Sequence, residues 1–187
     1  MSEQKHRSWQ RLFLLIPLVV AFSLGLFLYQ ALGKDPTKLE SNMLGKQLPD
    51  FVGESLTELG QSIGRADILG APSLINVWAT WCPTCEAEHA YLNQLVAQEG
   101  VRIIGVNYHD QRELAQDWLD RLGDPYALTI YDPQGQLGIE LGVIGAPETY
   151  LIDADGTIVD KLTGELNDRT WARLKPRYEA LMSRHSQ

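Results

Sequence analysis

Cys82 and Cys85 are the only cysteines of the chain, and they stand two residues apart in the stretch VWATWCPTCEAEH. Sulfurs at this spacing can exchange disulfides, ligate a metal, or staple the chain. The staple is a poor reading, because a bond across two intervening residues closes a tiny loop and removes little chain entropy. For ligation, Cys82, Cys85 and His89 fall at i, i+3 and i+7, so they can share one helix face. Structural zinc takes four ligands, usually with a second Cys/His pair, and His6, His109 and His185 stand at no such spacing. A copper-binding or copper-delivery protein using Cys82, Cys85 and His89 is therefore the main non-enzyme alternative. Covalent haem needs Cys-x-x-Cys-His, and Glu86 fills the required histidine position. A thiol peroxidase is a further alternative, but its chemistry needs a pocket for peroxide rather than a Cys-x-x-Cys couple. Exchange itself calls for no cofactor.

Exchange makes specific demands that these residues meet. If a helix begins at Cys82, unpaired backbone N–H groups and the helix dipole favour its thiolate. Pro83 suits the first turn, where its missing N–H costs nothing. Cys85, almost a turn deeper, is expected to be less exposed. Cys82 then attacks a substrate disulfide, and Cys85 resolves the mixed disulfide. Trp81 offers a flat apolar platform for substrate, whereas Trp78 reads as core. Glu86 and Glu88 oppose thiolate formation if they lie nearby. A stabilised thiolate makes a strong oxidant, so two acids point to a reductant. A second element is Gly145-Ala146-Pro147-Glu148-Thr149. Proline entering a strand from a Gly-containing turn is a candidate cis peptide. Such a loop against Cys82 would let the backbone of Ala146 pair with an extended substrate.

The elements that must hold these residues follow from the apolar pattern. Residues 73–79, SLINVWA, form a continuous apolar run of strand length, as a buried central strand requires. A helix over residues 82–98 places Cys85, His89, Leu92, Leu95 and Val96 on one face. Residues 101–106 and 126–131 read as strands. A helix over 112–122 has Leu114, Trp118, Leu119 and Leu122 as its inward stripe, and a short helix is expected over 134–141. Residues 150–152 and 157–162 form a hairpin around Asp153-Ala154-Asp155-Gly156. Asn167 caps a last helix, which Pro176 should kink or delay. Residues 49–52 suggest a short strand, and 54–70 an irregular cap. Alternating strands and helices, then a hairpin and a helix, make an α/β domain with a mixed central sheet flanked by helices. A Cys-x-x-Cys where strand meets helix is the thioredoxin-like arrangement.

The 187 residues carry a net charge of −8. Lys5, Arg7 and Arg11 against Glu3 give the first 33 residues +2, which leaves −10 for the rest. An acidic domain lacks the basic stripe that nucleic acid needs. Residues 12–32 hold no charge and would span about 31 Å as a helix, close to the hydrocarbon core of a bilayer. That length favours a retained signal anchor over a leader, although Ala31-Leu32-Gly33 resembles a cleavage site. The expected organisation is a cytoplasmic tail at 1–11, a transmembrane anchor at 12–32, a linker at 33–48 and the domain at 49–187. Lysines on both sides nearly balance the positive-inside rule, so charge alone leaves the orientation open.

WCPTC followed by AEH, then GVNYHD, then GVIGAPETYLIDADG together resemble the membrane-anchored thioredoxin-like proteins of bacterial cytochrome c maturation, the CcmG or DsbE family. The similarity runs from about Asp35 to the end. It implies a reductant that keeps the haem-binding cysteines of apocytochrome c reduced, directly or through maturation partners. It implies electrons from a membrane thiol transporter of the DsbD or CcdA type, and a domain on the periplasmic side of the inner membrane. It also implies Cys82 as nucleophile, Cys85 as resolving thiol, Pro147 as cis-proline and Glu88 as the acid of the active-site helix. The segment 126–141 matches that family's insertion. The chain departs from the pattern at Glu86, where arginine is common. A dithiol reductant has its use where disulfides form, outside the cytoplasm.

Overall fold

The computed structural model describes residues 16–17, 19–27 and 43–186. Two compact units divide the chain, Met1–Pro36 and Thr37–Gln187. In the first, residues 16–17 and 19–27 are helical, with Phe22, Leu24 and Phe27 exposed. The expected tail at 1–11, ten of the 21 residues of the expected anchor and ten of the 16 of the expected linker lie outside the described residues. No helix among the described residues is long and apolar enough to cross a membrane.

The second unit is built on β3 (Ser73–Trp78), every residue of which is buried. It pairs in parallel with β4 (Ile103–Tyr108) and antiparallel with β6 (Glu148–Ile152). Beyond β4 lies the parallel β5 (Leu128–Asp132), then the antiparallel hairpin of β1 (Val52–Ser55) and β2 (Ser62–Gly64). Beyond β6 lies β7 (Ile158–Thr163), giving the order β2-β1-β5-β4-β3-β6-β7. Side chains alternate across the sheet. Leu74, Trp78, Ile103 and Leu151 join one core with apolar residues of α2 (Pro83–Glu99), α3 (Arg112–Leu122) and α5 (Asp168–His185). Ile75, Val77, Ile104 and Val106 join the other with Ile68 of α1 (Arg65–Ile68) and Leu137 and Leu141 of α4 (Gln136–Leu141). Burial on both faces is why β3 reads as an unbroken apolar run. This is a thioredoxin-like α/β fold with a mixed sheet and flanking helices.

Several local expectations change. The irregular cap is a hairpin plus a short helix. Its strands have four and three residues and bury few side chains, so they leave little periodic trace. β6 starts at Glu148, two residues earlier than its apolar run, because the Glu148 side chain is buried among polar partners. Leu114 is half exposed and Ala115 takes its place facing the core, beside the expected Trp118 and Leu119. The last helix runs through Pro176 from its Asn167 cap. Pro176 and Ala172, whose carbonyl loses its partner, both lie on the exposed side, where water can take up that bond. At the near end of the domain, Gly45 and Leu48 donate to Ile158 and Gly156 carbonyls, and Leu48 is in the core.

Gly105 marks the tightest layer of the sheet. A Cβ there would lie 2.7 Å from Thr129 Oγ1 and 3.0 Å from both Trp78 Nε1 and Tyr126 Cγ. We expect Gly105→Ala to destabilise the domain by about 1–3 kcal/mol through overpacking, read as a lower urea midpoint. An unchanged midpoint would show that the layer can relax.

Candidate active site

The chain leaves β3 in a turn in which the Cys82 N–H donates to the Ala79 carbonyl at 3.2 Å. Cys82 is the N-cap of α2 and Pro83 opens the helix. The two cysteines form a disulfide. The Cys85 N–H lies 3.1 Å from Cys82 Sγ and 3.1 Å from the Cys82 carbonyl oxygen, so a first-turn helix donor is shared between the sulfur and that carbonyl. Exposure does not separate the two cysteines: Cys82 is 3% exposed and Cys85 2%. What separates them is position, since Cys82 Sγ also lies 3.4 Å from the Ala146 carbonyl oxygen.

Ala146 and Pro147 are joined by a cis peptide bond. Their loop is held from beneath by Glu148, a residue sequence reasoning did not single out. Its fully buried carboxylate accepts from Tyr150 Oη at 2.9 Å, pairs with Lys161 Nζ at 2.9 Å, and accepts the Ile144 N–H at 3.4 Å. Lys161 also donates to the Gly142 carbonyl. The loop that meets Cys82 is thus tied at both ends to one buried ion pair. Its signal was a charge at the mouth of a strand, next to proline.

The other expected residues divide. Trp81 lies at the site and is half exposed, its indole N–H donating to the His109 carbonyl at 2.9 Å. Trp78 is core, stacked on Tyr126. Glu86 is exposed on the first turn of α2. Glu88 points inward, 2% exposed, and accepts from Asn76 Nδ2 at 2.9 Å and the Leu166 N–H at 2.6 Å. Burial pushes its carboxyl up to about 7, against the pull of those two donors. Asn76, a lone amide within the apolar run, is itself fixed, because its Oδ1 accepts from Tyr126 Oη.

His89 is a core residue. The Trp118 indole N–H donates to its Nδ1, which leaves the proton on Nε2 to donate to the Gly123 carbonyl. Burial lowers its pKa and keeps it neutral. Both nitrogens are thereby engaged. Among the described residues no group of three or more His, Cys, Asp or Glu side chains is placed to hold a metal ion.

A disulfide at a helix N-terminus, facing a cis-proline loop in this fold, has close counterparts. The Redoxin family model matches residues 43–180. The thiol:disulfide interchange protein DsbE of Vibrio cholerae is 50% identical over 180 residues, covering 93% of this chain and 97% of its own. DsbE of Escherichia coli K12 is 51% identical over 178 residues, covering 91% and 95%. The chain belongs to the DsbE family of thiol:disulfide interchange proteins. A secreted thiol-disulfide isomerase of Corynebacterium glutamicum superposes with a TM-score of 0.61 at 24% identity, over 82% of this chain and 96% of that one. Membership in the DsbE family and the cysteine pair together make the protein a thiol:disulfide oxidoreductase.

The buried acid sets a measurable pH dependence. Glu88 holds its proton in the folded chain between about 4.5 and about 7, where the unfolded chain has lost it. The stabilisation this gives is full below about 4.5 and is lost as pH climbs to about 7. The oxidised Glu88→Gln variant should therefore gain stability relative to the parent between about pH 5 and about pH 8, by up to about 3 kcal/mol. Urea unfolding across that range checks it, and a constant difference would refute the shift.

Proposed function

We propose that this oxidoreductase is a periplasmic reductant of cytochrome c biogenesis, anchored in the inner membrane by residues 12–32. The observation that carries the exchange reading is the sulfur of Cys82 at the N-terminus of α2, between the Cys85 N–H and the Ala146 carbonyl. In the dithiol form Cys82 is the nucleophile. Its thiolate attacks one sulfur of a substrate disulfide, and the other sulfur leaves as a thiolate and takes a proton. Cys85, losing its proton, then attacks Cys82 Sγ and releases the second substrate thiol. Two electrons and two protons pass to the substrate, and the Cys82–Cys85 disulfide forms.

The supporting residues have roles in this scheme. Ala146 and Pro147 offer backbone to the substrate chain, and Trp81 forms the apolar side of its path. Glu88, on the same helix and with a carboxyl that burial pushes up to about 7, is the proposed modulating acid of the site. Glu86 adds negative charge at the helix start, which disfavours the thiolate and suits a reductant.

Cytochrome c is supported by the likeness to DsbE proteins over nearly the whole chain. The proposed substrates are the haem-binding cysteines of apocytochrome c or the maturation proteins that carry them, and the proposed donor is a membrane thiol transporter of the DsbD or CcdA type. An uncharged stretch of 21 residues at 12–32 supports the anchor. Exchange chemistry supports the periplasmic side, where disulfides form.

In cells, Cys85→Ser should accumulate mixed disulfides through Cys82, with apocytochrome c or a maturation protein as the trapped partner. Cys82→Ser should trap none and should reduce no disulfide. Mass spectrometry of the trapped species decides: recovery of only unrelated envelope proteins would sink the cytochrome assignment. Glu86→Arg should make the couple more oxidising, by on the order of 10 mV, measured by equilibration with glutathione. No change would remove Glu86 from the account.

A further inference from the structure

The turn that launches Cys82 is held by a residue just past another strand. Ala79 and Cys82 close the turn, with Thr80 and Trp81 at its centre. The Thr80 N–H donates to Asp110 Oδ2 at 2.6 Å, and the Thr80 hydroxyl donates to Asp110 Oδ1 at 2.6 Å. The same carboxylate accepts from Asn107 Nδ2 at 2.9 Å and from the Gln111 N–H at 2.8 Å. Four donors thus converge on one half-buried side chain just past β4. Trp81, the other central residue, donates to the carbonyl of His109, next to Asp110. His109 reaches that position in the left-handed region at φ 50, the only positive φ outside glycine among the described residues. A side chain held there carries a conformational cost. A further tie runs from Tyr131 Oη to the Asp110 carbonyl.

We infer that Asp110 is a positioning residue for disulfide exchange: it clamps the Thr80–Trp81 turn so that Cys82 Sγ stays on the Cys85 N–H and the Trp81 indole stays beside the substrate path. This rests on Cys82 being the attacking sulfur. Asp110 touches neither sulfur nor substrate. It acts by keeping the end of β3 in one place while the helix supplies the donor. Binding of both the backbone and the hydroxyl of Thr80 leaves that residue no alternative turn. Small displacements of a reacting atom are costly in rate, so a clamp one turn away can matter as much as a direct contact.

The sign of the thiol response separates positioning from simple charge. Around Cys82 stand the Cys85 N–H and Glu86 on α2 and the Ala146 carbonyl on the facing loop, with Glu88 buried further along the helix. Were Asp110 merely a nearby negative charge, neutralising it would favour the Cys82 thiolate. If it is a clamp, releasing the turn draws the sulfur off its donor and disfavours the thiolate. The experiment measures alkylation of the reduced full chain by iodoacetamide against pH, together with the rate of reduction of a peptide disulfide. Asp110→Asn should move the alkylation midpoint upward and slow reduction about tenfold. Thr80→Val, which leaves the Asp110 charge in place, should shift both in the same direction, and Thr80→Ser should recover most of that loss. A midpoint that falls, or one that stays put in Thr80→Val with the reduction rate unchanged, overturns the clamp. If Asp110→Asn does not fold, the Thr80 pair decides alone. Peptide mapping of the alkylated parent distinguishes the underlying reading: modification first at Cys85 would end both, whereas modification at Cys82 with unshifted variants would end only the clamp.

Discussion

A backbone N–H at the start of α2 points at the sulfur of Cys82, and the remainder of the site is arranged around that contact. The donor can reach the sulfur because the first amides of a helix have no carbonyl four residues back, and this one is shared only with the Cys82 carbonyl. The helix starts there because Pro83 cannot donate and Cys82 takes the extended cap conformation. Both facts depend in turn on β3, which is buried on both faces and so cannot slide. A sulfur at the end of a rigid strand meets a helix that has unsatisfied charge to offer, and this is what turns a small, ordinary thiol pair into a redox couple.

The opposing wall is built with different physics. The cis-proline loop has little apolar mass of its own. It is held by a carboxylate and an ammonium buried together and hydrogen-bonded to Tyr150, Ile144 and Gly142. Buried pairs of this kind add little net stability, because both ions lose water. They do fix geometry, since any other arrangement leaves a charge unpaired. On the inner side of α2, Glu88 makes the contrasting case. Its hydrogen-bond partners among the described residues are two neutral donors, and burial, which they only partly oppose, pushes its carboxyl up to about 7. Two buried glutamates in one domain therefore serve different ends, one tying a loop through an ion pair and one carrying a proton that can leave near neutral pH.

The parts of the fold that bury a continuous apolar surface were legible in the sequence. β3, β4, α2 and α5 announce themselves by runs or by helical spacing; β3 and α2 place Cys82 and Cys85, and the pairing of β6 with β3 brings Ala146 and Pro147 to them. What escaped was polar. Glu148 looked like the end of a loop because a charge seldom opens a buried strand. Asn76 was passed over inside its hydrophobic run, although a lone amide there has to find partners. Asp110 follows a strand in a sequence that shows no trace of the turn it binds 30 residues earlier. The β1–β2 hairpin was missed for the opposite reason, since it is too short and too open to leave a period. Contacts across the sheet depend on which strands are neighbours, and local pattern does not encode that.

The backbone pairing of residues 45–48 with 156–158 has a consequence for solubility. β7 closes one side of the sheet and would otherwise present bare amides and carbonyls along its start. At the other side β2 is only three residues long. A margin paired at its start and a stunted one give stray extended polypeptides less to zip onto. For a catalyst that must take hold of other chains and let them go, this limits stray strand pairing at the two ends of its sheet.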